Sequence, residues 1–165
     1  MKIDISHISK VNGASLDVSV NETLAELEKT VDGFVFTNPV NFEGKLVNAG
    51  DVLNLSGRVS VNFASKCHRC LKDLENRMTI PVKENFISSE KATDEESYTY
   101  EGNYLTIDKA LKDNIILNLP IRQLCNDECK GLCKSCGCDL NVSGCECMED
   151  TINPQMEALK NFFKT

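Results

Sequence analysis

Hydrophobic and polar positions alternate from Ser15 to Val20, where Leu16, Val18 and Val20 interleave with Ser15, Asp17 and Ser19. A period of two marks a half-buried strand. The same texture runs from Gly33 to Phe86: Phe34 and Phe36, then Val40, Phe42 and Leu46, then Val52-Leu53 through to Phe63, then Met78, Ile80, Val82 and Phe86. Asn38-Pro39, Glu43-Gly44 and Asn48-Ala49-Gly50 punctuate these runs with residues that favour turns. Parallel crossovers need about a dozen residues or more, so connections this short predict an antiparallel sheet or a partly closed barrel.

The period becomes helical between Asp108 and Leu119, where Leu111, Ile115 and Leu119 share a face, with Thr106 or Asp108 as N-cap and Pro120 as the stop. A weaker pattern through Leu24, Leu27 and Val31, opened by Asn21-Glu22-Thr23, predicts a short helix. Asn153-Pro154 opens a C-terminal helix carrying Met156, Leu159, Phe162 and Phe163. Ser88 to Asn103 is acidic and poor in large aliphatics, and reads as a mobile loop whose far end is pinned by Tyr98, Tyr100 and Tyr104. The expected class is α+β, an antiparallel sheet or partly closed barrel with one or two packed helices. Residues 1–120 would form the main domain, and 121–165 a cysteine-rich segment and helix packed upon it.

Composition narrows the function. The 165 residues suffice for one core and a small appendage. A formal charge of -7 opposes a protein that binds nucleic-acid backbone along an extended surface, because counterion release needs clustered Lys and Arg. No stretch approaches the roughly 18 uncharged residues of a membrane helix, and Met1-Lys2-Ile3-Asp4-Ile5-Ser6 leads into no apolar run, so the cytoplasm is the expected compartment.

Nine cysteines in a reducing compartment point to metal before disulfides. Eight fall into pairs: Cys67-x2-Cys70, Cys125-x3-Cys129, Cys133-x2-Cys136 and Cys145-x-Cys147. Thiolates so spaced chelate one tetrahedral ion, whereas disulfide geometry would strain such short loops. One or two structural zinc ions are therefore expected on Cys67, Cys70, Cys125, Cys129, Cys133, Cys136, Cys145 and Cys147. Two partitions fit the spacing. Cys133, Cys136, Cys145 and Cys147 can close one local knuckle and leave Cys67 and Cys70 to Cys125 and Cys129, or the two C-x2-C pairs can share an ion as a ribbon. Cys138 is left over and reads as a small apolar residue.

Four thiolates around a divalent ion carry a net charge of about -2, which Lys66, Arg69, Lys72, Lys130 and Lys134 are placed to compensate. His68 reads as an exposed turn residue. All-thiolate sites are normally closed, and with only His7 and His68 the chain offers no convincing Cys-His or Ser-His-Asp arrangement, so no enzymatic activity and no small-molecule substrate are expected. The alternatives are a thiol-disulfide oxidoreductase using Cys67 and Cys70, and a nucleic-acid-binding zinc protein.

Lys66-Cys67-His68-Arg69-Cys70-Leu71, the helix end from Ile115 to Pro120, and the run from Leu124-Cys125 through Cys129-Lys130-Gly131-Leu132-Cys133 to Cys136-Gly137 and Asp139-Leu140-Asn141 resemble the YceD family. Two departures stand out, Lys134 where the family commonly has proline and Cys138 as an extra cysteine. The resemblance implies a non-enzymatic factor that supports accumulation of large-subunit ribosomal RNA. Its partner would be a ribosomal RNA precursor or a ribosomal protein.

Overall fold

The computed structural model of the chain describes residues 1–24, 27, 31–92 and 97–147. Among the described residues eight strands and one helix follow in order: β1 (Lys2–Asp4), β2 (Ser15–Glu22), β3 (Phe34–Phe36), β4 (Val40–Asn48), β5 (Val52–Lys66), β6 (Asp73–Ser88), β7 (Tyr98–Tyr100), β8 (Tyr104–Thr106) and α1 (Asp108–Asn118). The chain divides into two compact units. By their described residues, the first comprises Met1–Lys66 and Asp73–Gln123, and the second Cys67–Lys72 and 124–147.

The first unit is built on a six-stranded sheet. Its path runs β2-β4-β5-β6-β7, with β3 also paired to β5. The path ends at β2 on one side and β7 on the other, so the sheet is open rather than a closed barrel. Its spine is the β5–β6 hairpin, in register from Val52↔Ile87 to Lys66↔Asp73. Along β5 the alternation is kept over the whole strand, with Leu53, Leu55, Val59, Val61 and Phe63 buried and Asn54, Ser56 and Arg58 facing out. Alternation without a slip specifies register, because a shift by one residue would turn this entire set toward water.

β4 and β3 lie end to end along the same edge of β5, pairing with Leu53–Ser60 and Phe63–Ser65 respectively. Pro39 stands in the gap between them, where its missing N–H interrupts no ladder. Glu43-Gly44, expected as a turn, lies inside β4 instead. Gly44 faces Gly57 across the ladder, and a Cβ on Gly57 would sit 2.4 Å from Glu43 O and 2.8 Å from the tip of the Phe42 ring. The two glycines make room for a fully buried aromatic ring laid over the sheet.

The acidic stretch after β6 is not all loop. Tyr98–Tyr100 forms β7, parallel to the end of β6 through Phe86↔Tyr98 and Ser88↔Tyr100. The Tyr98 ring packs on Phe86 at 5.6 Å between centroids, and its hydroxyl donates to Asp113 Oδ2 at 3.0 Å. Burial, then the Asp113 carboxylate, push this phenol up to about 12. β1 and β8 form a separate two-stranded sheet leading into α1, whose buried face is Ala110, Leu111 and Ile115. The expected N-cap is corrected: Ile107 holds that position without a side-chain cap, while Asp108 Oδ2 accepts from the Met1 ammonium at 3.1 Å.

Asn21 and Glu22, expected to open a short helix, belong to β2, and residues 25–26 and 28–30 of that segment lie outside the described residues. So does the expected helix after Asn153-Pro154. Among the described residues no helix is long and apolar enough to cross a membrane.

Candidate metal centres

Among the described residues the second unit has little buried apolar surface. From Leu124 to Cys147 only Cys129 and Gly131 are buried, and Val142 is 84% exposed. Its organisation comes from backbone turns around cysteines. In the loop joining β5 to β6, Cys67 N donates to Lys72 O at 2.8 Å and Leu71 N donates to Cys67 O at 2.9 Å. Further on, Cys133 N donates to Cys138 O at 2.8 Å and Gly137 N donates to Cys133 O at 2.9 Å. The two turns are the same structure repeated. Each ends on a residue with positive φ, Leu71 at 61° and Gly137 at 74°.

These turns aim backbone N–H groups at the first sulfur of each pair. The N–H of Cys70, with those of Arg69 and Cys125, holds the Cys67 thiol down at about 6, although burial works the other way. The N–H groups of Cys136 and Ser135 do the same for Cys133, also to about 6. Donors fixed on a sulfur favour its thiolate, the form that ligates metal.

Four thiols meet at each turn. Cys67, Cys70, Cys125 and Cys129 have their Sγ atoms all within 4.8 Å of one another, as do those of Cys133, Cys136, Cys145 and Cys147. Of the two partitions that spacing allows, the structure has the local one. In the first cluster Cys67 and Cys129 sulfurs are 3.8 Å apart, and those of Cys70 and Cys125 are 3.7 Å apart. A tetrahedral ion with bonds of about 2.3 Å to sulfur needs thiolates roughly 3.8 Å apart, whereas a disulfide needs about 2.05 Å. The donor set therefore fits a tetrahedral, thiophilic ion, and all nine cysteines are free.

The clusters differ in burial. Cys67, Cys70 and Cys129 are buried and Cys125 half-buried, whereas Cys136 and Cys147 are exposed and Cys133 and Cys145 half-buried. Crowding raises two of the partner thiols: Cys129 above all pushes Cys125 up to about 12, and Cys136 does the same to Cys147. Cys138 is half-buried, and the Cys136 thiol, then burial, push its own thiol up to about 12. Its place in the repeated turn is that of Lys72 in the first, supplying a carbonyl.

The basic neighbours serve backbone and surface groups. Arg69 Nη1 donates to Cys129 O at 2.8 Å, Lys66 pairs with Asp73, and His68 is exposed. Gly131 is buried at a φ of 78°, where a Cβ would lie 2.9 Å from Arg69 O. Sequence reasoning passed over Asn141, whose Nδ2 donates to Cys129 Sγ at 3.5 Å. Its only signal was its place in the Asp139-Leu140-Asn141 run.

Comparison with known proteins adds a family. The family model described as large ribosomal RNA subunit accumulation protein YceD matches residues 55–163, a span that contains all nine cysteines. A protein of Bacillus subtilis, YlbN, is 24% identical over 167 residues, covering 99% of this chain and 97% of its own length. An uncharacterized protein of Mycobacterium leprae is 26% identical over 110 residues, covering 63% of this chain and 50% of its own. The chain thus spans about half the length of that mycobacterial relative. A maize protein named large ribosomal RNA subunit accumulation protein YCED homolog 1, chloroplastic, is 38% identical over 61 residues, covering 36% of this chain and 20% of its own. No solved structure matches.

Proposed function

This chain belongs to the YceD family, and from that premise we propose that it is a non-enzymatic, cytoplasmic factor supporting accumulation of large-subunit ribosomal RNA. Two structural zinc ions would hold its cysteine-rich unit in order. The observation that carries the metal part is the pair of four-thiol clusters, with sulfur separations of 3.7 and 3.8 Å in the first. Cys67, Cys70, Cys125 and Cys129 would hold one ion and Cys133, Cys136, Cys145 and Cys147 the other. A bound ion would supply cross-links between turns that share almost no apolar burial, and the N–H groups around Cys67 and Cys133 stabilise the thiolates it needs.

A binding role suits this arrangement better than thiol-disulfide exchange. Cys67 is 0% and Cys70 8% exposed, and an attacking thiolate must be reached by its substrate. The partner in this reading is a ribosomal RNA precursor or a ribosomal protein. Affinity capture from cells, with nuclease treatment before elution, tests it. Recovery of large-subunit precursor RNA or large-subunit proteins is expected, together with a reduced ratio of large- to small-subunit RNA when the chain is depleted. An unchanged ratio on depletion would refute the proposal.

A further inference from the structure

From Cys129 to Asn141 the chain folds back on itself as a narrow ribbon. Cys133 N donates to Cys138 O, Leu132 faces Asp139 in an antiparallel bridge, and Leu140 N donates to Gly131 O at 2.9 Å. The last rung is made by a side chain, with Lys130 N donating to Asn141 Oδ1 at 2.8 Å. One end of this ribbon is the turn of the second thiol cluster, and the other end carries Cys129 of the first. Asn141 closes the gap between them, its Nδ2 set 3.5 Å from Cys129 Sγ. The carboxamide is fixed on both sides, because Asp139 Oδ1 accepts from Nδ2 at 2.6 Å and from Asn141 N at 2.9 Å.

We infer that Asn141 is a positioning residue for the first metal site, and that through it loading of the second site tightens the first. This rests on the metal reading proposed above. An N–H donated to a ligating thiolate offsets part of the charge of about -2 that four thiolates leave on a divalent ion. The donor is useful only where it is held, and Asn141 is held by a ribbon whose turn the second cluster closes. With the second site empty the turn loses its cross-link, the rungs fray, and Cys129 loses its donor. The reverse influence must be equal, since coupling between two binding equilibria is reciprocal.

Cadmium-113 NMR of the full chain during chelator competition reads the test, because each site gives its own resonance, assigned from variants lacking one cluster. Asn141→Asp keeps the oxygen that Lys130 N needs and removes the donor to Cys129, and with Asp139→Asn made beside it two carboxylates do not meet. It is expected to lower first-site affinity about tenfold or more, in the range such partners usually contribute. Cys145→Ser with Cys147→Ser should lower first-site affinity comparably, and adding Asn141→Asp to that variant should cost little more. Circular dichroism of the sheet checks that each variant folds, and Asn141→Gln, which keeps the donor, should restore part of the affinity. First-site affinity indifferent to Asn141→Asp, or independent losses from the two changes, overturns the inference while leaving two metal sites standing. A wild-type chain that holds no metal overturns the metal reading and this inference with it.

Discussion

Removing metal from the intact chain is predicted to unfold the segment from Cys125 to Cys147 and to spare the six-stranded sheet. Ordering the 23 residues of that segment costs about 1 kcal/mol each at the low end of backbone estimates, hence roughly 23 kcal/mol. Apolar burial offers little against this, because Leu132 and Leu140 are half-buried and Val142 is exposed. Two thiolate-bound zinc ions at about 10–16 kcal/mol each would supply roughly 20–32 kcal/mol, a range that brackets the cost. The sheet stands on a different footing, with Phe42, Leu46, Leu53, Leu55, Val59, Val82 and Phe86 all at most 1% exposed. Amide exchange followed by mass spectrometry, with and without chelator, reads both halves at once. Protection from Cys125 to Cys147 should collapse while that of β4, β5 and β6 persists. Unchanged protection in the cysteine segment after verified metal removal would refute the reasoning.

Three further outcomes follow from the geometry. Acid should release the ions: Cys125 and Cys147 are pushed up to about 12 by the thiols of Cys129 and Cys136, so loading displaces at least one proton per site. Affinity should then fall about tenfold or more per unit as pH drops from about 8 to 6, and a flat profile in a zinc-indicator titration would contradict this. Gly131→Ala places a Cβ at positive φ and 2.9 Å from Arg69 O, and should destabilise the metal-loaded unit by about 1–3 kcal/mol in chelator-dependent unfolding. Gly57→Ala drives a Cβ against Glu43 O and the Phe42 ring, and should lower sheet stability by about 2 kcal/mol or more in urea melts, with zinc content unaffected.

The long strands were legible in the sequence because each buries one face, so Leu53, Leu55, Val59, Val61 and Phe63 write a period of two along β5. Helix α1 was legible for the same reason at another period. Strands of three residues hardly show a period, and β1, β7 and β8 escaped notice, although Phe34 and Phe36 gave away β3. Gly44 misled because a glycine beside Glu43 resembles a turn, while its use is to leave room for Phe42, a fact held by the opposite strand. The eight paired cysteines could be picked out, but their grouping depends on which turns face each other in space. Asn141 was invisible as a neighbour of Cys129 because a hydrogen bond across 12 residues leaves no spacing rule behind.

The turn between β5 and β6 also sets an order of events during synthesis. A ribosome delivers the N-terminal part of a chain first, so the hairpin that carries Cys67 and Cys70 can pair while Cys125, 55 residues beyond Cys70, is still unmade. Hairpin pairing takes microseconds, far less than the seconds needed to add those residues. The nascent chain therefore displays half of its first thiol cluster, the Cys67 and Cys70 pair on a finished hairpin, until the other half arrives. On the metal reading proposed above, capture of an ion by all four thiols would then be a late step, open only to chains translated past Cys129.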